Sequence, residues 1–333
     1  MKNFVNAILR ILVKIALHGY FRKLIVEGKE NIPKGKPVIL VANHQNALVD
    51  PLLIATSNRL NPWFLTRASV FKNSFVAKLL NFIRMLPVYR VRDGFSTVQQ
   101  NQEIFEKTYQ ILSQNGTVVI FAEGSHSLVR NLRPLSKGFT RMAFGLKERH
   151  PELTPWILPV GLDFSAHRRS GSQVKITYGK PIPVDMPSSQ SGKLTKMVER
   201  RLAELIVCIP DENYQENLEI LLDHEIDLTS AESVKAFLTT QEIHQTNPNP
   251  SALKNKVMKI FHFPLYWIWL WMSPKIEDKV FDSTFKFLIG FCLAPLWYVF
   301  LVFLALNSSL GAWALTWLIM SLISVFWNKN PQE

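Results

Sequence analysis

The chain has 333 residues, enough for one α/β domain and a further segment, and its 47% hydrophobic content with 22 Phe and nine Trp is typical of a protein at a membrane interface. Its net charge is +12, and residues 1–180 hold 26 of the 38 Lys and Arg but only 10 of the 26 Asp and Glu, which predicts an anionic partner, nucleic acid or phospholipid. Cysteines occur only at positions 208 and 292, which excludes a disulfide framework and a Cys-x-x-Cys metal clip.

The first segment, residues 1–22, is predicted to be an amphipathic helix that lies on the membrane. Asn6, Arg10, Lys14 and His18 recur every four residues and form one polar stripe, while apolar side chains cover the rest of the helix. An ordinary helix that faces the protein core is the alternative. The polar residues that interrupt the stretch, and the lack of a small-x-small cleavage pattern, argue against a signal peptide.

Residues 23–185 are predicted to form an α/β domain because short apolar runs alternate with helical patterns. The runs PVILVA and TVVIFA are apolar throughout, which favours a mixed, mostly parallel sheet flanked by helices on both faces. Strands are predicted at 24–27, 37–42, 63–66, 87–89, 117–122, 157–164 and 174–178. Helices are predicted at 51–57, 70–83, 97–113 and 137–150.

Two further regions follow this domain. Residues 186–250 are acidic and poor in strand formers, and they are predicted to form a solvated helical arm that ends in a linker.

Residues 251–333 are predicted to be a C-terminal membrane region. Residues 260–272 are rich in Trp but too short to cross, so they are predicted to lie in the interface or to be re-entrant. Residues 285–306 and 310–327 each approach the roughly 20 residues needed to span a bilayer, and they form a predicted hairpin. Lysines flank the hairpin but not its turn, which predicts an integral membrane protein with both hairpin ends on the cytosolic face.

The run VANHQNALVDP carries the most specific chemical signal. A buried strand is predicted to end at Ala42, so His44 follows at the sheet edge where α/β proteins bind ligands. Asp50, just before Pro51, is predicted to cap a helix, and its second oxygen could hold a ring N–H of His44 and leave the other ring nitrogen free to accept a proton. The alternative is a loop histidine that only bonds backbone.

Two more runs are predicted to lie at the same sheet edge. In LPVYR, Arg90 follows a short strand, and its guanidinium is well shaped for phosphate. In FAEGSHS, Gly124 permits close backbone approach and the amides after it can bind an anion or oxyanion. A solvated basic loop and a surface carboxylate are the alternatives for these two runs.

Together with ILPVGLDF at 157–164, these runs resemble, in order, the four motif blocks of the glycerophospholipid acyltransferase family, which includes 1-acyl-sn-glycerol-3-phosphate and glycerol-3-phosphate acyltransferases. The resemblance implies acyl transfer in phospholipid biosynthesis from acyl-CoA or acyl-carrier protein, with no covalent acyl-enzyme, no cofactor and no metal. It also implies an active site that faces the cytosol at the membrane. It implies catalytic residues His44 and Asp50, acceptor and phosphate binding by Arg90, Glu123, Gly124, Ser125, His126, Arg133 and Lys137, and acyl binding by Pro159 and Gly161.

The acceptor implied by this resemblance is 1-acyl-sn-glycerol-3-phosphate, which would give phosphatidic acid, and glycerol-3-phosphate or another lysolipid is the alternative. Three departures from the family pattern bear on the acceptor. Five residues separate His44 from Asp50 where four are commonest, Ala122 replaces a proline, and Ser125-His126 replaces Thr-Arg and so removes the usual phosphate-binding arginine.

Other functions explain the sequence less well. Nucleic-acid binding would account for the basic half but not for the apolar tail. A metal hydrolase would need a ligand spacing such as His-Glu-x-x-His, and a serine hydrolase would need Gly-x-Ser-x-Gly. A non-catalytic membrane scaffold with the same fold is the alternative from another class, although a scaffold needs neither a base nor an orienting carboxylate.

Overall fold

The structure, a computed structural model, describes residues 2–89, 97–241 and 252–326. The strands are β1 (Lys23–Glu27), β2 (Val38–Ala42), β3 (Trp63–Arg67), β4 (Met85–Val88), β5 (Thr117–Phe121), β6 (Trp156–Phe164), β7 (Gln173–Tyr178) and β8 (Ile182–Pro183). The helices are α1 (Lys2–Tyr20), α2 (Val49–Ser57), α3 (Ser74–Phe82), α4 (Thr97–Ser113), α5 (Gly138–Arg149), α6 (Ser191–Ala203), α7 (Tyr214–Asp223), α8 (Ala231–Thr240), α9 (Ala252–Phe261), α10 (Phe263–Met272), α11 (Asp282–Asn307) and α12 (Gly311–Phe326).

The strands form one eight-stranded sheet in the order β1-β7-β6-β2-β5-β3-β4, with β8 paired to β6. β2 runs parallel to β5 and β6, β3 runs parallel to β4 and β5, and β7 is antiparallel to β6. The predicted α/β fold with a mixed, mostly parallel sheet and flanking helices is therefore confirmed. The two residues of β8 were not predicted because so short a strand has no periodicity of its own.

Both faces of the sheet are covered, which explains the fully apolar strands. Ile39 and Val41 of β2 face a core built with side chains from α4, α5 and α6. Val38 and Leu40 face the opposite core, to which α1, α2 and Phe287 of α11 contribute. Successive side chains of a strand point to opposite faces, so every residue of β2 is buried.

Two element boundaries differ from the prediction for local reasons. The helix predicted at 70–83 is divided into a 3-10 turn, Ala68–Phe71, and α3, because the side chain of Asn73 accepts hydrogen bonds from the backbone N–H groups of Phe75 and Val76 and starts a new helix. The strand predicted at 87–89 begins earlier, at Met85. It contains Pro87, which an edge strand tolerates.

The prediction of a solvated helical arm after the α/β domain is wrong for the first helix of that region, α6. Leu194, Val198 and Leu202 of α6 are fully buried against the sheet, so α6 belongs to the main core. α7 and α8 instead enclose a small core of their own, around Leu221 and Phe237. The highly charged sequence of α6 did not reveal this packing, because its apolar residues occupy only one stripe of the helix.

The C-terminal region is helical. Within the described residues, one helix is long and apolar enough to cross a bilayer, 279–307, and only 17% of its apolar window is buried. It contains the first predicted span, 285–306. The second, 310–327, corresponds to the shorter apolar helix α12, whose predicted last residue lies outside the described part of the chain. α11 and α12 pack against each other.

Candidate active site

The loops after β2 and β5 meet because these two strands are parallel neighbours in the sheet. His44 Nδ1 lies 2.8 Å from Asp50 Oδ2, and Asp50 is fully buried while the side chain of His44 is 17% exposed. Asp50 lies in the first turn of α2, after Val49, and not at the N-cap predicted for it. Its Oδ2 instead accepts the backbone N–H groups of Gln45 at 2.8 Å and Asn46 at 2.7 Å.

The five-residue gap between His44 and Asp50 is absorbed by a tight turn. Ala47 adopts a left-handed conformation with φ of 32°, and Val49 N donates to Asn46 O at 2.7 Å. The turn folds the chain back so that the carboxylate reaches both the imidazole and the loop amides. Asn43, just before the turn, is held to β6 by a pair of hydrogen bonds with the backbone of Leu162.

This arrangement defines the protonation pattern of the imidazole. Because the carboxylate of Asp50 can only accept, we assign the proton to Nδ1 of His44, which leaves Nε2 as an acceptor. The ring also stacks on Phe121, with centroids 4.1 Å apart and planes at 20°. An imidazole fixed by a carboxylate and an aromatic face is placed to accept a proton from a hydroxyl in the cleft.

Glu123 links the two loops of the site. Its side chain is only 3% exposed, its Oε1 accepts the backbone N–H of His44 at 3.1 Å, and its Oε2 accepts Nε of Arg133 at 2.6 Å. Burial raises the pKa of the Glu123 carboxyl, and Arg133 opposes that rise. Arg133 also donates to Oγ and to the carbonyl oxygen of Ser125, so its guanidinium holds the loop together.

His126 contacts the C-terminal region, which nothing in the sequence indicated. Its Nε2 lies 3.2 Å from Oδ2 of Asp278, and its ring meets Phe281 edge to face at 5.0 Å. The ring centroids of His126 and His44 are 5.7 Å apart, with the rings edge to face. The pKa of His126 is lowered, chiefly by burial, although the hydrogen bond with Asp278 acts in the opposite direction.

The first turn of α11 is docked against the same loops. Asp282 Oδ2 accepts Nε of Arg168 at 2.7 Å, and Thr284 Oγ1 accepts the backbone N–H of Leu48 at 3.3 Å. Ser283 donates to the carbonyl oxygen of His167, whose Nε2 lies 3.0 Å from Oε1 of Gln45. The beginning of this apolar helix therefore supports the His44 loop from outside the α/β domain.

His167 predicts how stability depends on pH. Burial holds its pKa well below the usual range, so the folded protein keeps it neutral while the unfolded chain takes up a proton near pH 6.5. Below that pH the unfolded state binds more protons than the folded state. As the pH falls further, this group should lower the free energy of unfolding by up to about 1.4 kcal/mol per pH unit. Unfolding in detergent at pH 7.5 and 5.5 should show a smaller loss for His167→Gln than for wild type.

His150, which lies just after α5, provides the control for this measurement. His150→Gln should change the pH dependence less than His167→Gln does, because the His150 side chain is 39% exposed and its ion-pair partner Glu152 is 68% exposed. His126 is present in all three proteins, so its contribution cancels in the comparison. Equal pH dependence in wild type and His167→Gln would contradict the assignment.

The remaining predicted site residues are more scattered. Lys137 is exposed just before α5, and Gly124 has φ of 72° with open space where a Cβ would lie. Pro159 and Gly161 are buried within β6, where a Cβ on Gly161 would come within 3.0 Å of Leu205. Arg90 lies outside the described residues. Among the residues described, no group of three or more His, Cys, Asp and Glu side chains could hold a metal ion.

Comparison with known proteins finds similarity to acyltransferases. The acyltransferase family model matches residues 23–163. Glycerol-3-phosphate O-acyltransferase 2 of Saccharomyces cerevisiae is 22% identical, over 58% of this chain and 41% of that protein. The 1-acyl-sn-glycerol-3-phosphate acyltransferase of Borreliella burgdorferi is 28% identical, over 40% of this chain and 52% of that protein. The chain thus spans about half or less of the length of these two relatives.

One solved structure is also similar. The crystal structure of the 1-acyl-sn-glycerophosphate acyltransferase PlsC from Thermotoga maritima shares 23% identity with this chain, at a TM-score of 0.46. The match covers 61% of this chain and 80% of that one.

Proposed function

We propose that residues 23–163, which match the acyltransferase family model, are an acyltransferase domain and that the chain transfers a fatty acyl group to a hydroxyl of a glycerol-phosphate-type acceptor. The observation that carries the proposal is the pair of His44 Nδ1 and Asp50 Oδ2 at 2.8 Å. Among the described residues, no serine or cysteine side chain is bonded to the His44 ring, so the substrate hydroxyl serves as the nucleophile.

The proposed reaction needs no covalent enzyme intermediate. His44 Nε2 accepts the proton of the acceptor hydroxyl, while the oxygen of that hydroxyl forms a bond to the acyl carbonyl carbon. The carbon–sulfur bond of acyl-CoA or acyl-carrier protein then breaks, and the leaving thiolate takes the proton from His44. Asp50 stabilises the imidazolium between these two steps, and its hydrogen bonds to the loop amides keep it in place.

The preferred acceptor in this proposal is 1-acyl-sn-glycerol-3-phosphate, with phosphatidic acid as the product. The names of the curated relatives support a glycerol-phosphate acceptor, and glycerol-3-phosphate itself is the second candidate. We assign phosphate recognition to His126, Lys137 and Arg90. Arg133 is engaged with Glu123 and Ser125, so we assign it the role of positioning the loop. Pro159 and Gly161 remain the proposed acyl-side residues.

A panel of acceptors tests this function. Purified protein in detergent is given one labelled acyl donor, as acyl-CoA or acyl-carrier protein, with 1-acyl-sn-glycerol-3-phosphate, glycerol-3-phosphate or a neutral lysolipid. Fastest consumption of the first acceptor, with labelled phosphatidic acid formed, is expected. Preference for glycerol-3-phosphate would select the alternative acceptor, and no consumption of any donor would leave the scaffold interpretation in place.

We further propose that the protein is an integral membrane protein with its site on the cytosolic face. α1 exposes Phe4, Ile11 and Ile15 to the outside, which suits a helix lying on lipid. α11 and α12, joined by a short turn, would cross and return. α10, whose Trp267 and Trp271 are exposed, would lie in the interface.

Cysteine labelling tests this topology. In a background with Cys208→Ser and Cys292→Ser, Ser308→Cys lies in the turn between α11 and α12. An impermeant maleimide should label it in intact cells, because the turn faces away from the cytosol. Lys34→Cys, in an exposed loop of the α/β domain, is the control and should react only after permeabilisation. The reverse labelling pattern would refute the hairpin orientation.

A further inference from the structure

A groove unrelated to His44 lies between α1, α2 and the first residues of β3 and β4. It is an open surface groove, and its volume of about 590 Å³ includes the solvent at its mouth. Much of its wall is apolar, from Leu9, Val13, Leu52 and Phe64. Arg10 and Arg84 also line the groove, so it combines apolar side chains with two cationic ones.

The two arginines lack a carboxylate partner in the part of the chain that the structure describes. Arg10 donates from Nη2 to the carbonyl oxygen of Asn58 at 2.8 Å, and Arg84 donates from Nη2 to Oδ1 of Asn3 at 3.1 Å. Nε of Arg84 is buried and has no hydrogen-bond partner among these residues. Burial lowers the pKa of both guanidinium groups, and proximity to Arg84 lowers that of Arg10 further. An anion between the two guanidinium groups would compensate for their loss of solvent and for the repulsion between them.

The backbone at Arg84 supports a use for its side chain. Its φ is 66°, in the left-handed region that bulky residues avoid and that Gly or Asn adopts readily. The residue follows α3, and its N–H donates to Asn81 O while its carbonyl oxygen accepts Phe64 N. A position that would suit Asn or Gly holds an arginine, and strained residues of this kind concentrate at ligand sites.

The position of the groove indicates the class of ligand. α1 forms one wall, and its outer face exposes Phe4, Ile11 and Ile15, the face that we propose contacts lipid. Asp50 lies in the first turn of α2 and Asn58, the partner of Arg10, lies at its end. These two residues are therefore about 12 Å apart along the helix axis, at 1.5 Å per residue. An anion held at the arginines would be separate from a reacting group at His44.

We propose that this groove binds one anionic phospholipid from the membrane, with its phosphate at Arg10 and Arg84 and an acyl chain along Leu9, Val13 and Leu52. Guanidinium groups bind phosphate oxygens in bidentate fashion, and the apolar wall accepts the chain. The site rests on the proposed membrane placement of α1 and not on acyl transfer at His44.

Binding of a fluorescent phosphatidylglycerol to the purified full chain in zwitterionic detergent tests the site. Arg10→Gln and Arg84→Asn should each raise Kd about 10- to 100-fold, the loss expected for a charge-assisted hydrogen bond. Asn accepts the left-handed conformation, so Arg84→Asn separates the lost charge from backbone strain. Lys14→Gln, which removes an exposed charge one turn along α1, is the matched control and should leave Kd within about twofold of wild type.

Competitors distinguish the sources of the anion. Phosphatidylcholine should compete poorly, because its head group has no net charge. Inorganic phosphate should compete only at concentrations at least about 100-fold higher than the lipid, because it cannot use the apolar wall. Equal competition by phosphatidylcholine would overturn the anionic specificity, and phosphate competing as well as lipid would make this a free-phosphate site. Unchanged binding in both arginine variants would overturn the site itself.

His44→Ala separates this inference from the proposed function. It should bind phosphatidylglycerol as wild type does, because His44 lies at the other end of α2. If wild type binds the lipid but transfers no acyl group, the proposed reaction is refuted and the lipid site is retained. Loss of lipid binding in His44→Ala would place the lipid at the catalytic site and refute a separate groove.

Discussion

Replacing His44 with Ala should lower kcat for acyl transfer by about 10²–10⁴, the usual contribution of a general base. The imidazole is held by Asp50 at 2.8 Å and by stacking on Phe121, so its Nε2 is preorganised to accept a proton. Because that proton moves only in the transition state, KM for the acceptor should change much less than kcat. Initial rates with the preferred acceptor and a saturating acyl donor provide the measurement.

Asp50 keeps its hydrogen bonds from Gln45 N and Asn46 N when the imidazole is lost, so the fold should remain intact, which unfolding of both proteins in detergent would show. His150→Ala is the matched control, since this histidine is the C-cap of α5 and its side chain is 39% exposed. It should keep the wild-type rate. Wild-type activity in purified His44→Ala would rule out His44 as the base, whatever the acceptor.

Changing Asp50 to Asn should reduce kcat by a similar factor, about 10²–10⁴, for a different reason. The amide nitrogen of the new side chain can donate to His44 Nδ1, which favours the tautomer with its proton on Nε2. That tautomer cannot accept a proton from the acceptor hydroxyl. The substitution therefore removes the base without removing the imidazole.

The same substitution should also lower the free energy of unfolding by about 1–3 kcal/mol, because the charge that accepts Gln45 N and Asn46 N is lost. Asp223→Asn, at an exposed position of α7, is the control for loss of one carboxylate and should change neither quantity. Rates and unfolding are measured on the same preparations. A variant that is less stable but fully active would show that Asp50 acts only on the fold of the loop.

Local patterns predicted the central sheet and the two loops of the site. Strands such as β2 are apolar throughout because helices cover both faces, and that requirement is visible within five residues. His44 and Asp50 could be paired from sequence because they lie in one loop. The hydrogen-bond partners of Asp50 could not be predicted. The left-handed turn at Ala47 directs its oxygen to the loop amides and not to the N–H groups of α2.

Long-range partners were beyond the reach of sequence patterns. Arg133 was predicted from the resemblance to bind the acceptor or its phosphate, whereas its guanidinium is bonded to Glu123, ten residues earlier. Asn6 and Arg10 were predicted only as members of one polar stripe on α1, and the stripe gave no sign that they bond to the carbonyl oxygens of Phe82 and Asn58. Such pairings depend on how separate elements pack, and neither periodicity nor motif spacing encodes them.

The docking of residues 278–284 against the catalytic loops has a practical consequence for dividing this protein. Composition changes sharply at the Asn- and Pro-rich stretch 246–251, which makes that stretch an obvious place to truncate. A fragment ending there would lack Asp278 beside His126, Asp282 on Arg168 and Thr284 on Leu48. Residues 278–284 are then a structural part of the candidate active site, and exchanging the C-terminal region for another apolar segment would alter the loops around His44 and His126.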